Sequence, residues 1–227
     1  MKIICHERWL IVSFERPQLC LSWAVYGGGR TQTDTVAWYQ VKWPELEPSV
    51  DPKQFLKEKL VEKSIPHAVG MLTGVGLEVF RDVEERCGHV SGRCVATVGM
   101  GNALRAGDFP GSTTIQPAGT INLLCSVSVP LSDQAHLEAL SIAVEARTAA
   151  VFESDIRSIQ TGLSATGTGT DCVVIVAPCA ESSYEERTFY AGKHTPLGYV
   201  IGKTVFEAVS LGLNRWKQDH VLKEVKA

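Results

Sequence analysis

The segment Ala165 to Asp171 has the sequence ATGTGTD and concentrates groups that could do chemistry. Alternating Thr and Gly cannot fill a core, because Gly within a helix or strand costs about 0.5–1 kcal/mol relative to Ala. The segment instead offers backbone N–H groups, threonine hydroxyls and one carboxylate, which together can bind an anion or stabilise an oxyanion. Asp171 could orient a base, act as a base or cap a turn. A plain glycine-rich bend is an equal alternative for the segment taken alone.

A second polar loop, Gly99 to Asp108 (GMGNALRAGD), follows a predicted strand. Its two leading glycines lack the third that a dinucleotide fingerprint requires, so nucleotide binding is disfavoured. Arg105 could hold a carboxylate or amide oxygen of a ligand, although a local pair with Asp108 is favoured. Asn122 stands at the start of an apolar strand in GTIN. Once buried, its amide must find a partner in a neighbouring loop or in a ligand.

His194 lies in the segment YAGKHTP, immediately before a predicted helix. Histidine titrates near neutrality, and the positive end of a helix favours its neutral form. We therefore take His194 as the best general-base candidate among the six histidines. The chain has neither an HExxH motif nor a G-x-S-x-G elbow, and no metal-ligand set is predicted.

The bulk composition is that of a soluble globular chain of 227 residues with a formal net charge of -3. Nucleic-acid coats and polybasic membrane anchors need clustered Lys and Arg, so this charge argues against both. Seven cysteines without a CxxC pair predict reduced, structural thiols and a cytoplasmic location. No apolar run approaches the roughly 20 residues of a membrane helix. We expect one domain over residues 1–227, in an unexported protein.

The predicted elements alternate coarsely between strand and helix. Strands are predicted at 9–14, 20–26, 35–41, 92–98, 119–129 and 172–177, from β-branched and aromatic runs. Helices are predicted from Asp51-Pro52, from Ser132 or Asp133 to about Phe152, and from Thr195-Pro196. In the second of these, Leu137 and Leu140 belong to the predicted buried stripe. The charged tail from Arg215 is expected to fray.

These elements favour an α/β layered sandwich with mixed β-sheets. Short turns between the opening strands argue against a purely parallel sheet. Each half of the chain has strands, a helix and a strand beside a Gly/Thr-rich loop. That pattern allows two similar halves without establishing a duplication. Gly198 and Gly202 permit close helix pairing, within the chain or between copies in a homo-oligomer.

Taken together, the segments resemble the adenosylcobinamide amidohydrolase family in their order and approximate spacing. The matching stretches are GGG (27–29), ATVGMGNALRAGD (96–108), GTINLL (119–124), EART (145–148), SATGTGTDCVVIVA (164–177) and YAGKHTPLGYVIGKTV (190–205). The resemblance implies hydrolysis of the amide between the corrin side-chain acid and aminopropanol, which would release adenosylcobyric acid. It further implies a small-molecule corrinoid substrate that carries the only cobalt, with no resident cofactor, nucleic acid or membrane partner.

Within that activity we expect two groups of site residues. His194 or Asp171 would handle the proton, and Thr168 and Thr170, with the backbone amides of residues 166–170, would stabilise the oxyanion. The substrate-binding residues would be Gly28, Gly29, Asn102, Arg105, Asp108, Asn122 and Thr166.

Three alternatives stay open at the level of sequence. A threonine of ATGTGTD could be a covalent nucleophile exposed by self-cleavage. The chain could bind or sense corrinoids without catalysis. An unrelated nucleotide-binding protein is disfavoured, because the chain has neither a P-loop lysine nor a complete G-x-G-x-x-G.

Overall fold

The computed structural model describes residues 1–42, 44–110, 119–180 and 187–224, with side chains through residue 219. These residues form ten strands and three α-helices. The strands are β1 (Lys2–His6), β2 (Trp9–Ser22), β3 (Gly29–Gln40), β4 (Val69–Thr73), β5 (Arg81–Cys87), β6 (Val90–Val98), β7 (Ala103–Leu104), β8 (Ile121–Val127), β9 (Gly167–Thr168) and β10 (Cys172–Pro178). The helices are α1 (Pro52–Glu62), α2 (Asp133–Glu153) and α3 (Pro196–Glu224). None of the helices in the described ranges is long and apolar enough to cross a bilayer.

Eight strands form one mixed sheet in the order β4-β3-β2-β10-β8-β6-β5, with β1 paired to β2. The β3–β4 and β8–β10 pairs are parallel, whereas the other pairs in this sheet are antiparallel. The short strands β7 and β9 form a separate antiparallel ladder. The predicted α/β class with mixed sheets is confirmed.

The large sheet folds over so that its two halves face each other. One buried cluster joins Trp38 and Met71 of β3 and β4 to Val95 and Leu124 of β6 and β8, although β2 and β10 separate these strands in the sheet. The amide nitrogen of Asn122 crosses the same fold and donates to the Leu72 carbonyl at 2.7 Å. The edge strand β4 therefore meets the start of β8 across the fold.

The helices cover the opposite face of the sheet. Leu56 and Leu60 of α1 pack with Trp9 and Tyr39, while α2 and α3 cover β5, β6, β8 and β10. All three predicted helix starts are confirmed by side-chain caps, because Asp51, Ser132 and Thr195 accept from backbone N–H groups at 3.0, 3.2 and 2.9 Å. These caps place the helix ends by local chemistry alone.

Three sequence-based expectations differ from the structure. The segments 9–14 and 20–26 were expected as separate strands, but β2 runs through both up to Ser22, with an irregularity between Ser13 and Gln18. The tail from Arg215, expected to fray, is helical as far as Glu224. Leu137 is 62% exposed, because α2 turns small side chains such as Ala135 and Ala139 toward the sheet instead.

Candidate active site

The two polar loops predicted from sequence meet in the β7–β9 ladder. Ala103 pairs with Thr168 and Leu104 with Gly167, so GMGNALRAGD lies beside ATGTGTD. The Thr166 hydroxyl also accepts from the Ala106 N–H at 2.8 Å. Loops that are some sixty residues apart in sequence thus form one polar surface at the start of β8 and β10.

The Asp171 carboxylate is the most heavily bonded group of this surface. Oδ1 accepts from the Ile121 N–H at 3.0 Å and from the Thr168 hydroxyl, while Oδ2 accepts from the Thr168 N–H at 3.0 Å. The Arg147 guanidinium lies 3.0 Å from Oδ2, and the two side chains are only 12% and 6% exposed. Four donors occupy the four acceptor positions of a carboxylate. Asp171 therefore orients its neighbours and can take a proton only along a bond that already exists.

The Thr168 hydroxyl donates to the Asp171 carboxylate. The residue is half-buried, and Gly169 and Thr170 after it are exposed. The neighbouring Cys172 cannot serve as a nucleophile, because burial, and secondly the Asp171 charge, raise the pKa of its thiol to about 12. Thr168 is therefore the nucleophile candidate that the cluster itself activates.

The GTIN segment closes the cluster from the side of β8. The Thr120 hydroxyl donates to the Thr170 carbonyl at 2.9 Å, and the Thr170 hydroxyl donates to the Gly119 carbonyl at 3.3 Å. Asn122, a predicted substrate-binding residue, uses its amide nitrogen on the Leu72 carbonyl instead. Thr170 and Asn122 are thus positioned to hold the segments of the site against each other.

Asn102 has a different arrangement from Asn122. Its side-chain oxygen is buried and accepts no hydrogen bond from any described residue. Its amide nitrogen lies 3.7 Å from the position that a Cβ on Gly169 would occupy. The Asn102 amide thus lies beside the exposed bend that follows Thr168. A buried amide with free hydrogen-bonding capacity is typical of a group that meets a ligand.

The backbone amides of ATGTGTD are mostly engaged within the protein. The N–H groups of Thr166 and Thr168 donate to the Leu104 carbonyl and to Asp171, and that of Thr170 approaches the Thr168 hydroxyl at 3.4 Å. Within the described ranges nothing accepts from the Gly169 N–H. Gly169 is therefore the amide of this segment left to face a substrate.

Arg105 and Asp108 serve the loop in which they lie. The Arg105 guanidinium donates to the Ser164 carbonyl at 2.8 Å, and its backbone N–H donates to Asp108 at 2.7 Å. Hydrogen bonds, first that of the Ser158 hydroxyl, lower the pKa of Asp108. The favoured local contact between Arg105 and Asp108 exists, but through the backbone and not as an ion pair of side chains.

Gly28 and Gly29 lie in the turn between β2 and β3, near the start of β10. A Cβ on Gly28 would stand 2.5 Å from the Ala24 carbonyl oxygen, and Gly29 has a φ of +89°, so the turn needs both glycines. The turn places Trp23 so that its indole N–H donates to the Asp171 carbonyl at 2.6 Å. Gly28 and Gly29 therefore contribute to the site by positioning Trp23.

His194 is not brought to Asp171. Asp171 immediately precedes β10, whereas the chain reaches His194 after β10. The Ala191 N–H, close to His194 in sequence, donates to Glu138 of α2 at 2.6 Å. Arg147 lies about 13 Å beyond Glu138 along the same helix, at 1.5 Å per residue. His194 is exposed at the start of α3, and the adjacent Lys193 pairs with Glu145. No hydrogen bond or ion pair among the described residues joins the two proton-handling candidates, His194 and Asp171.

Sequence reasoning missed Arg147, Thr120 and Trp23 as members of the site. Arg147 lies inside the matched EART stretch, which gave no hint of its partner, because the contact depends on where α2 packs. Two cavities, of about 310 and 460 Å³, lie elsewhere, near Arg8 and between α2 and α3. Neither cavity is lined by residues of the two polar loops. Among the described residues, no group of three or more His, Cys, Asp or Glu could hold a metal ion.

The chain is similar to known proteins over most of its length. A family model described as adenosylcobinamide amidohydrolase matches residues 1–220. The chain is 28% identical over 192 residues to an adenosylcobinamide amidohydrolase of Methanosarcina mazei, covering 82% of this chain and 86% of the relative. It is 27% identical over 197 residues to a protein of the same name from Halobacterium salinarum, covering 83% and 78%.

Two solved structures are similar in outline only. The PH0078 protein from Pyrococcus horikoshii has a TM-score of 0.44 at 12% identity, covering 90% of this chain and 77% of the other. An L-aminopeptidase D-Ala-esterase/amidase from Ochrobactrum anthropi, a variant of the Ntn hydrolase fold, has a TM-score of 0.40 at 12% identity, covering 90% and 76%.

Proposed function

Because the chain belongs to the adenosylcobinamide amidohydrolase family, we propose that it hydrolyses the amide between the corrin side-chain acid and aminopropanol. The products are adenosylcobyric acid and aminopropanol, and the acid re-enters coenzyme B12 synthesis. The cobalt enters as part of the substrate, and the proposed reaction uses no resident cofactor. The seven cysteines are all unpaired, which supports a reducing, cytoplasmic location.

The observation that carries this proposal is the hydrogen bond from the Thr168 hydroxyl to Asp171, itself held by Arg147. A threonine hydroxyl is a weak nucleophile until a base adjoins it. Here the base is a carboxylate, fixed by two backbone N–H groups and a guanidinium. The arrangement resembles the nucleophile, base and orienting group of other acyl-transfer enzymes.

In the first step the Thr168 oxygen attacks the amide carbonyl while its proton passes to Asp171. The carbon–nitrogen bond then breaks, and the same proton goes to the departing amine of aminopropanol. An ester joins the corrin acid to Thr168. Arg147 keeps Asp171 oriented throughout and stabilises its negative charge whenever the proton is elsewhere.

The negative charge that develops on the carbonyl oxygen needs donors that are already in place. The Gly169 N–H directly follows Thr168, and the Asn102 amide nitrogen lies 3.7 Å from the position that a Cβ on Gly169 would occupy. We assign these two donors to the oxyanion. Removing one such donor from other acyl-transfer enzymes costs roughly 3–4 kcal/mol of transition-state stabilisation.

In the second step a water molecule attacks the ester. The esterified Thr168 oxygen no longer donates to Asp171, so the water donates to Asp171 in its place and passes it a proton as the Thr168 oxygen departs. That proton then restores the threonine hydroxyl. The carboxylic acid product leaves with the corrin ring. Acid and base roles thus alternate on one carboxylate, as microscopic reversibility requires.

The Thr168 hydroxyl does not need self-cleavage to find a base, because it already donates to Asp171. We therefore propose that the intact chain is the active form. A mass spectrum of active protein should show one unbroken polypeptide. Fragments that end at residue 167 and begin at Thr168, present in proportion to activity, would instead support an N-terminal threonine nucleophile.

The decisive experiment incubates the pure protein with adenosylcobinamide and follows both products by mass. We expect adenosylcobyric acid and aminopropanol in equal amounts. Thr168→Val should lower turnover by a factor of about 10³ or more, and Thr168→Ser should restore part of it. Thr35→Val is the matched control, because Thr35 also donates to an aspartate, at 2.7 Å, outside the site.

Two outcomes would overturn the proposal. Binding of adenosylcobinamide without product in the wild-type protein would favour a corrinoid-binding or sensing role. Turnover by Thr168→Val close to that of Thr35→Val would remove the threonine from the chemistry and leave hydrolysis to another group.

A further inference from the structure

We infer that Trp23 is a docking platform for the flat corrin macrocycle of the substrate, and this inference rests on the proposed function. The indole is 45% exposed, so it offers an apolar aromatic surface with a polar N–H that a ligand can cover. Its N–H donates to the Asp171 carbonyl at 2.6 Å. An aromatic ring is thus fixed at the backbone of the residue that activates Thr168.

The turn that carries Trp23 is held at both ends. Tyr26 and Gly70 exchange two backbone hydrogen bonds, at 3.1 and 2.9 Å. The Thr31 hydroxyl donates to the Gly27 carbonyl at 2.8 Å. The indole is therefore presented in one orientation before any ligand arrives, and little side-chain entropy is lost on binding.

Two more exposed apolar side chains lie in or beside segments that contact the GMGNALRAGD loop. Ile159, 53% exposed, donates its backbone N–H to the carbonyl of Ala103, which pairs with Thr168. Phe109 is 81% exposed, and its carbonyl accepts from the Gln160 side chain. Exposed apolar side chains are thus joined to both loops of the cluster, Trp23 through Asp171 and Ile159 through Ala103.

This distribution of polarity matches the proposed substrate. A corrin is a broad, largely apolar ring with amide side arms at its edge. An aromatic surface beside a polar cluster can support the ring while one side arm enters the cluster. A small polar amide would need the cluster alone, so the exposed indole indicates a ligand with a large flat face.

The test separates ring support from effects on Asp171 by comparing Trp23→Ala with Trp23→Phe. With adenosylcobinamide, we expect Trp23→Ala to raise KM about tenfold, as for the loss of an aromatic stacking surface, with kcat within about twofold. Trp23→Phe keeps a ring but removes the N–H, and should remain within about threefold of wild type in KM. Tyr199→Ala is the matched control, because Tyr199 is 47% exposed on α3, away from the two loops.

Equilibrium dialysis of adenosylcobinamide against Thr168→Val, with and without Trp23→Ala, measures the platform without turnover. A tenfold larger dissociation constant with Trp23→Ala supports the inference. This holds even if the wild-type protein forms no product, in which case only the proposed function fails. An unchanged KM and dissociation constant would overturn it. A fall in kcat alone, equal in Trp23→Ala and Trp23→Phe, would also overturn it, because Trp23 would then act through Asp171.

Discussion

Two threonine–aspartate pairs of this protein make the same hydrogen bond in different surroundings. The Thr168 hydroxyl donates to Asp171, whose side chain is 6% exposed and lies 3.0 Å from Arg147. The Thr35 hydroxyl donates to Asp34 at 2.7 Å, but Asp34 is 44% exposed and its second side-chain partner is His67, at 2.9 Å. Only the first pair lies between two polar loops.

The difference shows that the pair alone does not make a site. At Asp34, water can replace either partner, so the carboxylate has little influence on the threonine. At Asp171, four donors exclude water, and the low local dielectric strengthens each interaction. The hydroxyl proton of Thr168 then has one acceptor in one geometry, which is what a reacting group requires.

The largest difference between the pairs should follow removal of each negative charge. Asp171→Asn should lower the free energy of unfolding by about 3 kcal/mol, because it leaves Arg147 buried without its counter-ion. It should also abolish release of aminopropanol. Asp34→Asn should cost less than about 1 kcal/mol and leave turnover near wild type. Urea unfolding and the product assay measure both, and equal costs for the two variants would contradict the comparison.

Arg147→Lys should have the next largest effect. Lysine keeps the positive charge but loses the planar fork of donors, so we expect about 1–2 kcal/mol less stability and about tenfold less turnover. Arg93→Lys is the matched control, because Arg93 contacts Asp82 through two nitrogens, at 2.8 and 2.7 Å, outside the site. Equal loss of turnover in both variants would indicate a general effect on folding.

The exposed Thr35–Asp34 pair should make a small contribution to the dependence of stability on pH. The Thr35 hydroxyl, and then His67, lower the pKa of Asp34 below its ordinary 3.8. Its contribution is therefore complete above about pH 4 and disappears as the pH falls through the lowered pKa. The difference in Tm between wild type and Asp34→Asn should shrink below pH 3.8, and a difference that grew on acidification would reverse this sign.

The smallest effect is expected at His194. Because His194 is exposed and no hydrogen bond among the described residues joins it to Asp171, His194→Ala should keep turnover within about threefold, with an unchanged pH profile. Steady-state rates between pH 5 and 9 test this. A hundredfold loss would show that His194 reaches the substrate and shares the proton with Asp171.

Much of the local structure could be predicted from the sequence. Asp51, Ser132 and Thr195 start helices because their side chains accept from amides two or three residues later. The mixed α/β class follows from the alternation of β-branched runs with capped helical segments. The face of α2 could not be predicted, since it is alanines that pack on the sheet there and Leu137 is exposed.

The sequence by itself determined which segments carry polar groups without a core to fill: GMGNALRAGD, GTIN and ATGTGTD. Only the tertiary structure decided which of these groups meet. The β7–β9 ladder joins the two loops, the packing of α2 brings Arg147 to Asp171, and the β2–β3 turn brings Trp23 to the same residue. The physical reason is that caps and turns depend on neighbours in sequence. Contacts between distant segments depend instead on how a folded sheet and its helices pack, and no local pattern records that packing.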